Sequence, residues 1–158
     1  MFEVGINTLI HPTAEIERTV SIGDNCKIGK GTVIRRNVEI RDNVEIGENC
    51  YIDSGVIITG NAKIGNNVTL RNLVVVARGS VIGNGSFLAP RVMFNNLDEV
   101  QNSVGGAIVG ENCFIGTNTV LQHGIIIADE VKIGSMSLVT KDISEKGIYF
   151  GCPAKKQS

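Results

Sequence analysis

The chain has no tryptophan, three prolines and two histidines in 158 residues, and aromatic residues make up 4%. So little ring volume excludes a core built around large aromatic side chains and suits a narrow interior filled by small aliphatics. A formal charge of −1 gives no reason to expect a nucleic-acid partner. The longest aliphatic run, Leu73 to Ala77, is five residues, far short of a bilayer span. The opening Met-Phe-Glu-Val-Gly lacks the charged and apolar blocks of a signal peptide, so the expected location is the cytoplasm. Neither a CxxC pair nor a Cys/His metal spacing occurs, and no metal is expected. Cys26, Cys50 and Cys113 are expected to be buried thiols used as small apolar fillers.

What the chain does have is an aliphatic residue at every sixth position. The series runs Ile10, Ile16, Ile22, Ile28, Ile34, Ile40, Ile46, Ile52, Ile58, Ile64, Leu70, Val76, Ile82, Leu88, Phe94, and resumes in a new phase at Val109, Ile115, Leu121, Ile127, Ile133, Val139. Six is neither the helical nor the strand period, so this is a repeat protein. With the aliphatic residue as position one, position five is always small or β-branched, as at Val20, Cys26, Thr32, Val38 and Val44. Two inward columns with polar residues between them describe a short strand followed by a corner. Position four is Asn or Gly at Asn25, Gly31, Asn37, Asn43, Asn49, Gly55, Asn61, Asn67, Gly79, Gly85, Asn112, Asn118 and Gly124. These residues tolerate the positive φ of a tight corner. Three strands and three corners close a triangular coil of 18 residues. The fold class is therefore all-β, a parallel β-helix in one domain spanning 1–158.

An 18-residue lap stacks residues 18 apart. Glu17, Arg35, Asp53 and Arg71 then form one alternating column, Lys27, Glu45 and Lys63 another, and Lys30 lies under Glu48. Against these favourable neighbours stand Arg18 with Arg36, Asp24 with Asp42, and Glu111 with Asp129. The spacing from Phe94 to Val109 is 15, not a multiple of six, so residues 95–108 read as an extruded loop. Nothing in the packing of a regular helix requires it, and such loops are often functional. Residues 1–9 are expected to cap one open end and a tail from about 144 to 158 the other.

These hexads, the late looped-out segment and the ending Thr140-Lys141-Asp142-Ile143 … Gly151-Cys152-Pro153-Ala154-Lys155 resemble the hexapeptide-repeat acyltransferases. The resemblance implies a left-handed β-helix, a homotrimer with active sites between subunits, and acetyl-coenzyme A as donor. It also implies that the turns Gly116-Thr117 and Gly134-Ser135 hold the thioester arm, with Thr140, Lys141 and Lys155 near the nucleotide. A cationic Lys beside phosphates is physically reasonable.

The stretch Pro90-Arg91-Val92-Met93-Phe94-Asn95-Asn96 is similar to the loop entrance of the nucleotide-sugar N-acetyltransferases, where Phe-Thr-Asn leads into the loop and Asn orients the sugar amine. By that likeness Asn96 orients the acceptor, with Asn95, Asp98 and Glu99 as substrate-binding candidates. The loop carries no histidine. His123 sits at a corner and is the one candidate base, while His11 begins the repeat and reads as structural. The implied activity is acetyl transfer to an amino sugar, nucleotide-linked and destined for surface polysaccharide. The alternatives are O-acetylation of a hydroxyl acceptor and a non-catalytic β-helical scaffold. A zinc carbonic anhydrase is excluded because two histidines cannot supply three imidazole ligands.

Overall fold

The computed structural model describes residues 2–102 and 104–158. Strands, nearly all two residues long, lie in three sheets that form the walls of a prism. Wall I has eight strands from Glu3–Val4 to Leu138–Val139, and wall II has seven from Leu9–Ile10 to Ile126–Ile127. Wall III has nine, from Glu15–Ile16 through Val131–Ile133 to Gly147–Gly151 and Ala154–Lys156. The chain visits walls I, II and III in turn, giving a left-handed parallel β-helix. Paired residues are 18 apart, as in Ile22 with Ile40, Ile28 with Ile46 and Ile34 with Ile52. Among the described residues no helix is long and apolar enough to cross a membrane.

The first end differs in detail from the sequence reading. Glu3–Val4 pairs with Ser21–Ile22, so residues 3–9 belong to the first lap and do not cap it. The reason is that the six-residue series reaches back to Val4, with Asn7 (φ 56°) making the corner. At the other end, Gly147–Gly151 adds in parallel to Val131–Ile133 and returns antiparallel as Ala154–Lys156, burying Tyr149.

The interior is a stack of aliphatic layers. Ile34, Ile58, Leu88, Ile115 and Ile133 are all 0% exposed while Ile10 and Ile16 are only partly buried, so the seal is weakest at the N-terminal end. Each fully buried side chain contributes about 1.5–3 kcal/mol on burial. All thirteen Asn and Gly residues at position four adopt positive φ. Leu73, Arg91 and Met136 do so as well, each at φ 62°, without that tolerance. They share one column on the edge between walls III and I.

Corner amides that cannot join a strand ladder find side-chain oxygens in the next coil. The N–H of Ile6 donates to Asp24 Oδ1 (2.8 Å), that of Asp24 to Asp42 Oδ1 (2.9 Å), and that of Glu48 to Asn66 Oδ1 (2.8 Å). Asn66 donates to Asn84 Oδ1 (2.7 Å) and Glu111 to Asp129 Oδ1 (2.7 Å) in the same way. This accounts for the like-charged neighbours Asp24–Asp42 and Glu111–Asp129: the upper carboxylate caps a backbone donor. At Gly23 a Cβ would overlap Asp42 Oδ1, so glycine leaves room for the cap. Among the opposite-sign neighbours, Arg35–Glu17 (3.0 Å), Arg71–Asp53 (3.4 Å) and Lys27–Glu45 (3.8 Å) form ion pairs. Exposed pairs contribute about 0–1 kcal/mol each, so they support register more than stability.

Cys26, Cys50 and Cys113 are buried and Cys152 is exposed. Burial pushes all three interior thiols above their ordinary range, although backbone and hydroxyl hydrogen bonds oppose the shift. Each thiol donates to a carbonyl of the next coil: Cys26 to Arg41, Cys50 to Gly65 and Cys113 to Ala128.

Ile58→Ala should lower stability by about 2–5 kcal/mol in urea unfolding, because a fully buried side chain leaves a cavity. Lys63→Ala, on the exposed face of the neighbouring strand, should change it by less than about 0.5 kcal/mol. Titration of the native chain with an aromatic disulfide reagent at neutral pH should modify Cys152 alone, and the other three thiols only after unfolding. Rapid modification of more than one thiol in the folded chain would contradict the packing described.

Candidate functional site

The extruded loop is narrower than 95–108. Val81–Ile82 pairs with Ile108–Val109, a step of 27 residues where every regular step is 18, so the insertion is nine residues long. Asn95 still donates its N–H to Leu121 O (3.0 Å), and Gly124 donates to Gly105 O (3.1 Å). The chain therefore leaves the coil at Asn96 and rejoins it at Gly105. Ile108 lies in a strand of wall II.

The loop emerges from the edge between walls I and II, and the register shows what it meets there. Phe94 pairs with Leu121, and Leu121 with Val139. The next residues in each coil stack as Asn95, Gln122, Thr140; the third place on this corner belongs to Gly105, whose carbonyl accepts the N–H of Gly124, with His123 and Lys141 above it, and Asn96 leaves the coil from the same edge. The two catalytic candidates and two of the coenzyme candidates thus share one edge. Gln122 was not among the sequence-derived candidates. Adding 27 to Asn95, once the insertion length is known, finds it.

Asp98 organises the loop. Its Oδ1 accepts the N–H groups of Val100 (3.0 Å) and Asn102 (2.8 Å), and its Oδ2 accepts Asn102 Nδ2 (3.1 Å). The side-chain bond from Asn102, then its backbone N–H, hold the carboxyl below its usual range, with smaller help from Val100 and the charge of His123. Asp98 therefore serves the loop's own shape, which leaves Glu99, exposed beside it, as the unengaged carboxylate. A further clamp comes from Val104 N–H to Asn96 O (3.0 Å).

At the C-terminal end a cavity of about 280 Å³ is lined by Thr140, Lys141, Tyr149, Pro153, Lys155 and Lys156. The three residues expected near the nucleotide all face it. Lys156 is neutralised by Glu145 (2.6 Å), a bond that raises the lysine's proton affinity and lowers the carboxyl's. Lys141 and Lys155 form no ion pair among the described residues. Asp142 also lines the cavity, but its Oδ1 accepts the N–H of Ile126 (2.8 Å), so the two lysines are left to suit phosphate.

The turns Gly116-Thr117 and Gly134-Ser135 lie on the other edge of wall I, where it meets wall III. A Cβ at Gly116 would fall 2.5 Å from Ser135 N, and one at Gly134 would fall 2.9 Å from Phe150 Cβ. These glycines admit the neighbouring coil and the C-terminal strand; the space is already filled from inside the chain. Ser135 and Met136 are exposed. Within one chain the two candidate groups are separated by the width of wall I, whose outward residues Ile57, Val75, Met93, Val120 and Leu138 are apolar.

The largest depression, about 720 Å³, lies along wall II beside Lys27, Glu45 and Lys63 and contains none of the candidate residues. It is a shallow trough between the charge ladder and the glycine-lined corner. Among the described residues no group of three His, Cys, Asp or Glu side chains could hold a metal ion.

The profile of the bacterial transferase hexapeptide (six repeats) matches residues 3–36, 27–60 and 106–141. Over 70 residues the chain is 34% identical to chloramphenicol acetyltransferase of Agrobacterium fabrum (strain C58 / ATCC 33970), an alignment covering 44% of this chain and 34% of the relative. The chain thus spans about a third of the length of that curated relative. UDP-N-acetylglucosamine O-acyltransferase from Moraxella catarrhalis RH4 has a similar fold, with TM-score 0.65 and 23% identity over 98% of this chain and 72% of that one. So does a mutant of AntD, an N-acyltransferase from Bacillus cereus in complex with dTDP-4-amino-4,6-dideoxyglucose and coenzyme A, with TM-score 0.63 and 16% identity over 96% and 83% of the two chains. With more than half of its residues under that profile and its strands wound on the same three walls, the chain belongs to the bacterial transferase hexapeptide family.

Proposed function

We propose that this chain transfers an acetyl group from acetyl-coenzyme A to the amine of a nucleotide-linked sugar, at a site completed between copies in a homotrimer. The observation that carries the reading is the nine-residue insertion, which leaves the coil at Asn96 from the edge that carries Gln122, His123, Thr140 and Lys141. The cationic cavity beside Lys141 and Lys155 supports a phosphate-bearing donor. AntD binds coenzyme A and an amino-sugar nucleotide on a similar fold, which supports both substrate classes.

The division of the candidates between two edges supports the assembly. A thioester arm along Thr117 and Ser135 of one copy would be a full wall from Asn96 of the same chain. A second copy covering the later, apolar coils of wall I, from Ile57 to Leu138, brings its loop edge toward that arm. The amine, once deprotonated, attacks the thioester carbonyl; the C–N bond forms, the C–S bond breaks, and coenzyme A leaves as thiolate. Asn96 orients the nitrogen, and His123 is placed to take the proton that it loses. Backbone amides of the Thr117 and Ser135 turns are the groups available to the developing oxyanion.

O-acetylation is the second reading, favoured by the chloramphenicol acetyltransferase relative, because chloramphenicol offers hydroxyls and no free amine. Thiol release from acetyl-coenzyme A, measured with dTDP-4-amino-4,6-dideoxyglucose and with chloramphenicol, separates the two. The expected result is turnover of the amine, with Asn96→Ala lowering kcat/KM for it by roughly 10–100-fold, the effect of losing one orienting hydrogen bond. Lys141→Ala should raise KM for acetyl-coenzyme A and leave that for the amine unchanged. Turnover of chloramphenicol alone overturns the amine reading, and a calorimetric titration giving no heat with coenzyme A overturns both.

A further inference from the structure

Hydroxyl side chains in the inward position-five column follow a common rule. Thr8 donates to Gly23 O (2.7 Å) and accepts the N–H of Cys26 (3.0 Å). Thr32 donates to Gly47 O (2.8 Å) and accepts from Cys50 (3.1 Å). Ser86 does the same with Gly110 O (2.8 Å) and Cys113 N–H (2.9 Å), and Thr119 donates to Gly134 O (3.2 Å). The partners are the second and, for Thr8, Thr32 and Ser86, also the fifth corner residue of the next coil; Ser137, at the end of the stack, instead donates to Gly134 O of its own coil (2.7 Å). A hydroxyl that the core must bury is thereby satisfied, and it ties two successive corners together.

Ser80 breaks the rule. It is 0% exposed, and among the described residues its Oγ is the one buried side-chain oxygen with no hydrogen-bond partner. An unmet buried hydroxyl is destabilising. By the same rule its partners would be the carbonyl of Asn95 and the N–H of Ala107. These are the residues on either side of the insertion, the last before the chain departs and the one two places after it returns. Gly106 is pressed onto the hydroxyl so closely that a Cβ there would overlap Ser80 Oγ. In this structure the hydroxyl makes neither bond, although the returning stem lies against it.

We infer that Ser80 is a positioning residue for the loop stem: with acceptor bound, its hydroxyl donates to Asn95 O and accepts Ala107 N–H, drawing the stems together and fixing Asn96 against the substrate. The inference rests on the proposed function, since Asn95 and Asn96 are the acceptor side of that site. It explains why a hydroxyl is kept where Ala would fill the layer. The free chain bears an unpaired group that becomes paired when the loop takes up its substrate, so that closure gains two hydrogen bonds.

The effects on stability and on acceptor binding have opposite signs, which a packing role cannot reproduce. Ser80→Ala should raise the Tm of the free chain by about 2–4 °C, because it deletes an unsatisfied buried group. In kinetics with dTDP-4-amino-4,6-dideoxyglucose or chloramphenicol, whichever turns over, it should raise acceptor KM by roughly five- to tenfold, the effect of losing one net hydrogen bond. KM for acetyl-coenzyme A should not move, since the thioester turns lie on the other edge and Thr140 and Lys141 stand two coils beyond Asn95. Ser80→Thr should restore acceptor KM, as Thr8 and Thr32 make the same two bonds. A fall in Tm for Ser80→Ala, or an unchanged acceptor KM in an active enzyme, overturns the inference. A wild-type chain that acetylates neither acceptor overturns the functional reading instead, and the sign of the Tm change still decides the role of Ser80.

Discussion

Backbone hydrogen bonding between successive coils fixes the circumference of this molecule. Every two-residue strand must meet its neighbour one lap later with the same side chains inward, and a slip of one residue would turn the aliphatic column to solvent. Eighteen residues satisfy that condition on all three walls. Because each lap is bound by the same requirement, an insertion can be accommodated only by leaving the coil and returning at the same phase. The nine residues after Asn95 do so, and the ladder resumes undisturbed at Ile108–Val109.

The corners complete the same scheme with side chains. Asx oxygens cap amides that lie outside the ladders, and inward hydroxyls bridge one corner to the next. Such regularity makes departures informative. Ser80 departs by lacking both partners. Leu73, Arg91 and Met136 depart by holding a left-handed corner that suits Asn or Gly, at about 1–2 kcal/mol each. Ser80 lies beside the loop and Leu73, Arg91 and Met136 beside the turns proposed for the thioester arm, while Glu130 (φ 58°) holds the same conformation on the edge between walls II and III. Strain and unmet polar groups collect at working surfaces more often than elsewhere.

The lap length, the corner residues and the inward columns were legible in the sequence because each is a one-residue property repeated many times. The loop margins were not, since Gly105 and Gly106 read as a hinge when they are the third and fourth residues of the corner that the chain rejoins, with the positive φ at Gly105 (83°) in place of the fourth residue. Counting back from Ala107 as a position-five residue would have found this. The role of Asp98 was also hidden, because three hydrogen bonds to Val100 and Asn102 depend on how the loop itself turns. Stacking of Asn95, Gln122 and Thr140 needed only the insertion length. The like-charged pair Asp24–Asp42 looked unfavourable until the backbone donor between them was visible.

The central claim is that the prism is complete without residues 96–104 and that those residues exist for the acceptor. Joining Asn95 directly to Gly105 restores a six-residue step from Phe94 to Val109 and tests both halves at once. The account predicts a chain that folds with Tm at or above that of the parent and still binds coenzyme A, but transfers no acetyl group to the acceptor that the parent uses. A shortened chain that fails to fold, or one that keeps the parent's transfer rate, would contradict it.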